Sequence, residues 1–181
     1  LVGEYAAPAE DDKETNLLED EALTAAAAGK KKEDTLEYGT KQAMITECYI
    51  TDEKGLKTNA VLKGSSFSVH MRAEFYEELP APIFACSIKN ALGVEITGTK
   101  SMIEKAFLEP VKAGEKKEAV FTQKMSLQGG EYLISLGLTG YEGDRFAVYH
   151  RLYDVMNITV ISDKNTVGYY DMGSTVTVKD I

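Results

Sequence analysis

Tryptophan is absent from this 181-residue chain, and cysteine, histidine and proline are scarce, with two, two and four copies. Each shortage closes off a class of structure or chemistry. Cys48 and Cys86 both lie in apolar runs, so they read as small buried hydrophobes rather than disulfide halves, and nothing demands an oxidising compartment. His70 and His150 have no cysteine or carboxylate cluster at ligand spacing, which argues against a zinc site. No run approaches the ~18 apolar residues of a membrane-spanning helix. The N-terminus also lacks the basic-then-apolar pattern of a secretory signal. Without tryptophan, any aromatic stacking falls to the ten tyrosines.

Net charge is −9 and unevenly spread. Residues 1–36 hold ten acids and four lysines, whereas the remainder is close to balanced, with 19 acids and 16 bases. A basic footprint for nucleic acid or anionic lipid is lacking. The acidic stretch has one larger apolar cluster, Leu17, Leu18 and Leu23, followed by AAAAGKKKED. A helix over residues 16–28, capped by Asn16, would have little to pack against, so residues 1–37 are expected to be a mostly disordered linker. The chain begins at Leu1, and the linker reads as a tether from a missing N-terminal domain. Residues 38–181 are then one domain of ordinary size, able to bury a core without staples.

Alternation dominates that domain. Residues 83–100, IFACSIKNALGVEITGTK, read as a hairpin in which Phe84, Cys86 and Ile88 alternate with Ala85, Ser87 and Lys89, predicting one apolar and one polar face. Residues 90–93, with Asn90 and Gly93, supply the turn. Residues 67–75 place Phe67, Val69, Met71, Ala73 and Phe75 on one side and Ser68, His70, Arg72 and Glu74 on the other. Further strands are expected over residues 44–50, 59–62, 119–127 and 131–141, separated by turn residues such as Gly55, Pro80, Pro82 and Gly129. Residues 146–161 are too long for one straight strand, and the polar Asp154 and Asn157 call for a bend or bulge. Residues 101–109 fit a helical turn or an irregular crossover equally well. A last strand is expected beyond Gly173, through Val176 and Val178. About eight or nine short strands at near-regular spacing predict an all-β fold, an antiparallel immunoglobulin-like β-sandwich.

One motif invites a wrong turn. Residues 93–101, GVEITGTKS, come within one residue of the phosphate-cradling G-x-x-x-x-G-K-[ST] loop, but Thr99 separates Gly98 from Lys100. The stretch alternates like a strand, whereas that loop must open a helix.

Five stretches carry a family likeness: YGTKQAMI from Tyr38, IFACSIKNALGVEITGTKS from Ile83, PVKAGEKKEAVF from Pro110, LQGGEYLISLGL from Leu127, and HRLYDVMNITVISDKNTVGYYDMGSTVTV from His150. In their order and spacing they resemble the C-terminal carbohydrate-binding domain of the ATPase subunit of polysaccharide-exporting ABC transporters, the Wzt type. Lys41 departs from the pattern, where a small residue is expected. The resemblance implies a non-catalytic sugar-binding module that recognises a cell-surface glycan, O-antigen-like or another cell-wall polysaccharide, for export. It implies a cytoplasmic location, peripheral to the inner face of the cell membrane through the transporter's transmembrane subunit. It also implies a homodimer with C-terminal strand exchange. No cofactor is expected in this fragment, since ATP and magnesium would belong to the missing nucleotide-binding domain.

A glycan presents hydroxyls and weakly apolar ring faces, so its site needs planar polar groups and an aromatic platform. The outward sets supply candidates: His70 and Arg72, then Ser87 and Lys89, with Thr97 and Thr99 from the hairpin's second arm. Tyr149, Arg151 and Tyr153 share one parity and add stacking and bidentate bonding. Glu77, Glu78 and Asp144 sit in turns or point apart and form no facing catalytic pair. Arg151 and Asp154 are expected to form a structural ion pair. The rival reading is an immunoglobulin-like protein-interaction or dimerisation module that binds no glycan.

Overall fold

The computed structural model describes residues 36–181; the linker expected over residues 1–37 lies outside them but for its last two residues. Among the described residues there is no helix, and nine strands form two sheets. The six-stranded sheet runs β1 (Glu37–Tyr38), β9 (Arg145–Ile161), β8 (Gly130–Glu142), β5 (Ile83–Asn90), β6 (Glu95–Lys100), with β3 (Ala60–Leu62) also on β9. The three-stranded sheet is β2 (Ala43–Asp52), β4 (Ser66–Phe75), β7 (Lys116–Lys124). All pairings are antiparallel except β3 with β9.

The expected sandwich is therefore present, and alternation builds its core. Phe67, Val69, Met71, Ala73 and Phe75 of β4 are buried together with Phe84, Cys86 and Ile88 of β5 and Tyr132, Ile134, Leu136 and Leu138 of β8. Both cysteines are free, and burial pushes the Cys86 thiol up to about 12. The near-miss phosphate motif is strand β6 and its turn, with Asn90 Oδ1 accepting from the backbone of Leu92 and Val94. Residues 101–105 form turns rather than a helix.

Strand β9 bulges twice. Between the pairs Leu138–His150 and Thr139–Val148 it carries an extra residue, Tyr149. Between Ile134–Met156 and Leu136–Leu152, three residues oppose the single Ser135, with Asp154 at φ 50°. These bulges answer the bend expected in this run.

The first bulge turns His150 inward. Its Nδ1 accepts a 2.9 Å hydrogen bond from the Ile45 backbone N–H, across the sandwich on β2. Ile45 borders a third bulge, where Thr46 is skipped between the pairs Ile45–Ala73 and Glu47–Arg72. Lys41, the odd residue of the entry segment, sits at φ 65°, a conformation better suited to glycine, and donates its N–H to Tyr149 O at 2.8 Å.

The final strand expected beyond Gly173 is not formed. Residues 172–181 join no sheet, and Val176 and Val178 are 81% and 89% exposed. The chain is instead fastened just before this arm: Lys63 Nζ meets Asp171 Oδ2 at 2.7 Å, Gln128 Oε1 at 2.8 Å and the Lys164 carbonyl at 2.6 Å. Alternation alone promises a strand only where an edge is in reach to complete it.

His150 sets a pH dependence. Burial lowers its pKa from the ordinary 6.5, against the opposing pull of Glu37, whose Oε2 lies 3.5 Å from Nε2, while Lys41 adds to the lowering. The folded chain thus binds this proton less readily than the unfolded one, so stability falls as pH drops below ~6.5. Protonation at Nδ1 would also replace the acceptor that Ile45 N–H requires. His150→Leu is expected to cost about 1–3 kcal/mol by orphaning that N–H. The variant should also lose the stability slope between pH 7 and 5 in urea titrations, and an unchanged slope would refute the assignment.

Candidate functional site

The nine sequence-predicted residues do not form one surface; the structure divides them among four places. His70 and Arg72 face outward on the three-stranded sheet, and Ser87, Lys89, Arg151 and Tyr153 lie on the outer face of the six-stranded one. Thr97 and Thr99 of β6 pair opposite Ile88 and Cys86, which places them at the groove between the two sheet edges. Tyr149 does not share a face with Arg151, because the bulge inserts it into the core, where it is fully buried.

The outer face of the six-stranded sheet is polar yet closed. Lys89 and Arg151 are each only 8% exposed, and Ser135 and Tyr153 are also buried. Lys89 Nζ lies 3.8 Å from Asp154 Oδ1 and 5.0 Å from the Tyr153 ring centroid. Ser135 Oγ donates to Asp154 Oδ1 at 3.1 Å and accepts from Asp154 N at 3.0 Å. Asp154 is thus held by Lys89 and Ser135 rather than by the Arg151 partner expected from sequence. Arg151 lies flat across Gly137, where an added Cβ would come within 3.1 Å of Nη1. Tyr38 and Tyr153 stack with centroids 6.0 Å apart. This network ties the wide bulge to its neighbour strands.

The three-stranded sheet offers an open site. Central strand β4 presents Ser68, His70 and Arg72, flanked in register by Thr51, Tyr49 and Glu47 of β2 and by Thr122, Val120 and Glu118 of β7. The bulge at Thr46 makes this possible, since it shifts the parity of β2 so that Glu47, Tyr49 and Thr51 turn outward while Ile50 enters the core. Tyr49 and His70 stack at 4.4 Å, within 8° of parallel, and Lys57 Nζ sits 3.9 Å from the Tyr49 centroid. His70 Nε2 is 3.1 Å from Thr51 Oγ1, and Ser68 and Thr122 hydroxyls are 2.8 Å apart.

Beside this stack lies a cleft of about 430 Å³ walled by Thr51, Asp52, Lys57, Ser66, Ser68, His70 and Thr122. Arg72 stands beyond it, clamped between Glu47 Oε2 at 2.5 Å and Glu118 Oε1 at 3.2 Å, which raises the guanidinium pKa. Lys57, then Arg72, hold the Glu47 carboxyl below its usual range. Burial works to raise Glu118, but Tyr49 OH, Arg72 and His70 together bring it down. Of the nine predicted residues, only His70 lines this cleft. Tyr49, Thr51, Asp52, Lys57, Ser66 and Thr122 were missed, although Ser68 appeared in the outward set of its strand. Among the described residues no group of three or more metal-ligating side chains converges.

A family model described as the Wzt C-terminal domain matches residues 34–172. Among solved structures, the crystal structure of the C-terminal domain of wzt aligns with a TM-score of 0.74 at 21% identity, covering 82% of this chain and 90% of that one. A Niemann-Pick type C2 protein from the Japanese carpenter ant overlaps more loosely, with a TM-score of 0.49, 10% identity, and coverage of 71% and 99%. No curated protein sequence matches.

The closed face is testable through its bulge. Asp154→Ala leaves at φ 50° a residue without the short polar side chain that hydrogen-bonds Ser135, and removes the partner of Lys89, which should cost about 1–3 kcal/mol. Asp154→Gly relieves the backbone term alone and should recover part of that loss in thermal melts. Equal stability of Asp154→Ala and the parent chain would mean the bulge needs no carboxylate.

Proposed function

The chain belongs to the Wzt C-terminal domain family, a non-catalytic domain of polysaccharide-export ABC transporters, and from that premise we propose that it binds the exported cell-surface polysaccharide in the open cleft of the three-stranded sheet. One observation carries this reading: the cleft of about 430 Å³ combines a parallel Tyr49–His70 stack with hydroxyls from three adjacent strands. Its volume suits one or two sugar units, and pockets of this size are the usual scale for small ligands. A sugar hydroxyl both donates and accepts, which is what Ser68, Thr122 and Thr51 offer in return. The six-stranded face has the richer aromatic set, but its cations are buried and engaged, so it supports the fold.

In this reading the domain couples cargo identity to an ATPase elsewhere in a longer protein. It acts in the cytoplasm at the inner face of the membrane, docked through the transporter's transmembrane subunit, and needs no cofactor of its own. Assembly is with a second copy. The arm beyond Gly173 alternates Val176 and Val178 with threonines and is unpaired, while β6 and β7 are edge strands of their sheets. An exposed strand-like arm and an open edge complete one another's hydrogen bonds.

Two experiments test this. Titrating the chain with the source organism's surface polysaccharide should give saturable NMR shifts at Tyr49, Ser68, His70 and Thr122, and Tyr49→Ala should weaken binding about tenfold or more. Asp154→Gly should bind as the parent does. The absence of shifts would favour the protein-interaction module. Separately, truncation after Gly173, which spares the Asp171 clasp, should lower the dimer fraction in sedimentation; an unaltered oligomer would remove the arm from assembly.

A further inference from the structure

Resting on the cleft as the glycan site, we propose that the bound polymer leaves it across the edge strand β7 and lays its next sugar residues in the groove between β7 and β6. A cleft for about one or two sugar units holds only part of a polymer, and the neighbouring units are delivered to the surface beside it. The borders of the cleft decide where they go. On one side the Glu47–Arg72–Glu118 bridge runs across all three strands. On another stands the Asp52 turn, with Oδ1 of its carboxylate fixed by the backbone N–H groups of Lys54 and Leu56, both at 2.9 Å. Toward β7 the wall is one short side chain, Thr122, in register with Ser68. The same Thr122 borders the groove.

The groove offers what a sugar needs. It comprises two adjoining hollows of about 660 and 290 Å³, which share Thr99, Glu104, Phe121 and Gln123. Phe121 and Leu108, both half-buried, give apolar surface for the ring faces. Thr97 lines the narrower hollow, and among the described residues neither its hydroxyl nor the Gln123 amide makes a hydrogen bond. Each group can both donate and accept, as a sugar hydroxyl does. Thr99 Oγ1 donates to Glu104 Oε1 at 2.6 Å, which steadies a carboxylate whose second oxygen takes no part in that bond. Strands β6 and β7 each pair on one side only, so unpaired backbone groups border the same space. Thr97 and Thr99, which stand apart from the cleft, thereby join His70 along one path for a polymer.

The test titrates two fragments from partial hydrolysis of the source organism's surface polysaccharide, one of about one or two units and one of roughly six, by NMR and calorimetry. Both the full chain and the chain truncated after Gly173 are used, because a partner's arm paired with β6 or β7 would fill the groove. The short fragment should shift Tyr49 and Ser68. In the truncated chain the long one should also shift Thr97 and Gln123 and bind about tenfold or more tightly than the short one. Gln123→Ala and Thr97→Ala should each reduce that gain and leave the short fragment's affinity unchanged, which also shows that the variants fold. A smaller gain in the full chain, restored by truncation, would support the path and make the arm its competitor. A gain in the truncated chain no larger than the number of registers the long fragment offers would overturn the inference. So would a gain that survives both variants, since the further sugars would then lie elsewhere. In both cases shifts at the cleft would leave the glycan-binding reading standing. If neither fragment shifts any resonance, that reading fails and takes this inference with it.

Discussion

A single hydrogen bond, from Ile45 N–H to His150 Nδ1 at 2.9 Å, joins the two sheets at the point where both have slipped register. On β9 the slip after Val148 turns His150 inward; on β2 the slip at Thr46 leaves Ile45 N–H without a ladder partner. Each bulge answers the other's need, because a buried N–H and a buried imidazole nitrogen both require a partner. The consequence reaches the surface. Without the extra residue at Thr46, the parity that buries Ala43 and Ile45 would bury Glu47, Tyr49 and Thr51 as well. The stacked pair and the cleft wall would then face the core.

The two sheets have opposite outer faces for related reasons. Between its neighbours, β8 of the six-stranded sheet presents Ser135, Gly137 and Thr139, small residues over which the long side chains of Lys89 and Arg151 can lie flat. Long cations laid over small residues and beside Tyr153 bury their stems and satisfy their heads locally. The three-stranded sheet carries larger groups in direct cross-strand register, Tyr49 against His70 and Glu47 against Arg72. These stand up from the sheet and leave depth beside them. A cleft therefore forms where tall pairs end, next to the Asp52 turn.

Much of the fold was legible because alternation reports burial directly. The strand at Ser66–Phe75, the hairpin turn at Asn90 and Gly93, and the interruption of β9 near Asp154 were all readable from residue type. Face assignment was less so. One inserted residue reverses parity, and neither Thr46 nor Tyr149 differs in kind from its neighbours, so alternation alone assigns Tyr149 to the surface although it lies in the core. Grouping His70 and Arg72 with Ser87 and Lys89 assumed that consecutive strands neighbour one another. Here β4 and β5 belong to different sheets. The C-terminal valines misled for another reason, since a strand pattern states what a segment can pair with but not whether this chain supplies the edge.

Placement of the proposed site on the smaller sheet has a mechanical rationale. In a three-stranded sheet only the middle strand is hydrogen-bonded on both sides, and here that strand is β4. Ser68, His70 and Arg72 thus project from the most constrained backbone of their sheet, and each is further held by a partner on β2 or β7. A binding surface for a polymer has to spare ordering entropy in the protein, because the glycan loses its own on docking. Side chains already fixed by stacking and by paired charges lose little more when a ligand arrives. The same contacts fix Lys57 and Arg72, so the wall and rim of the cleft are rigid before any ligand enters.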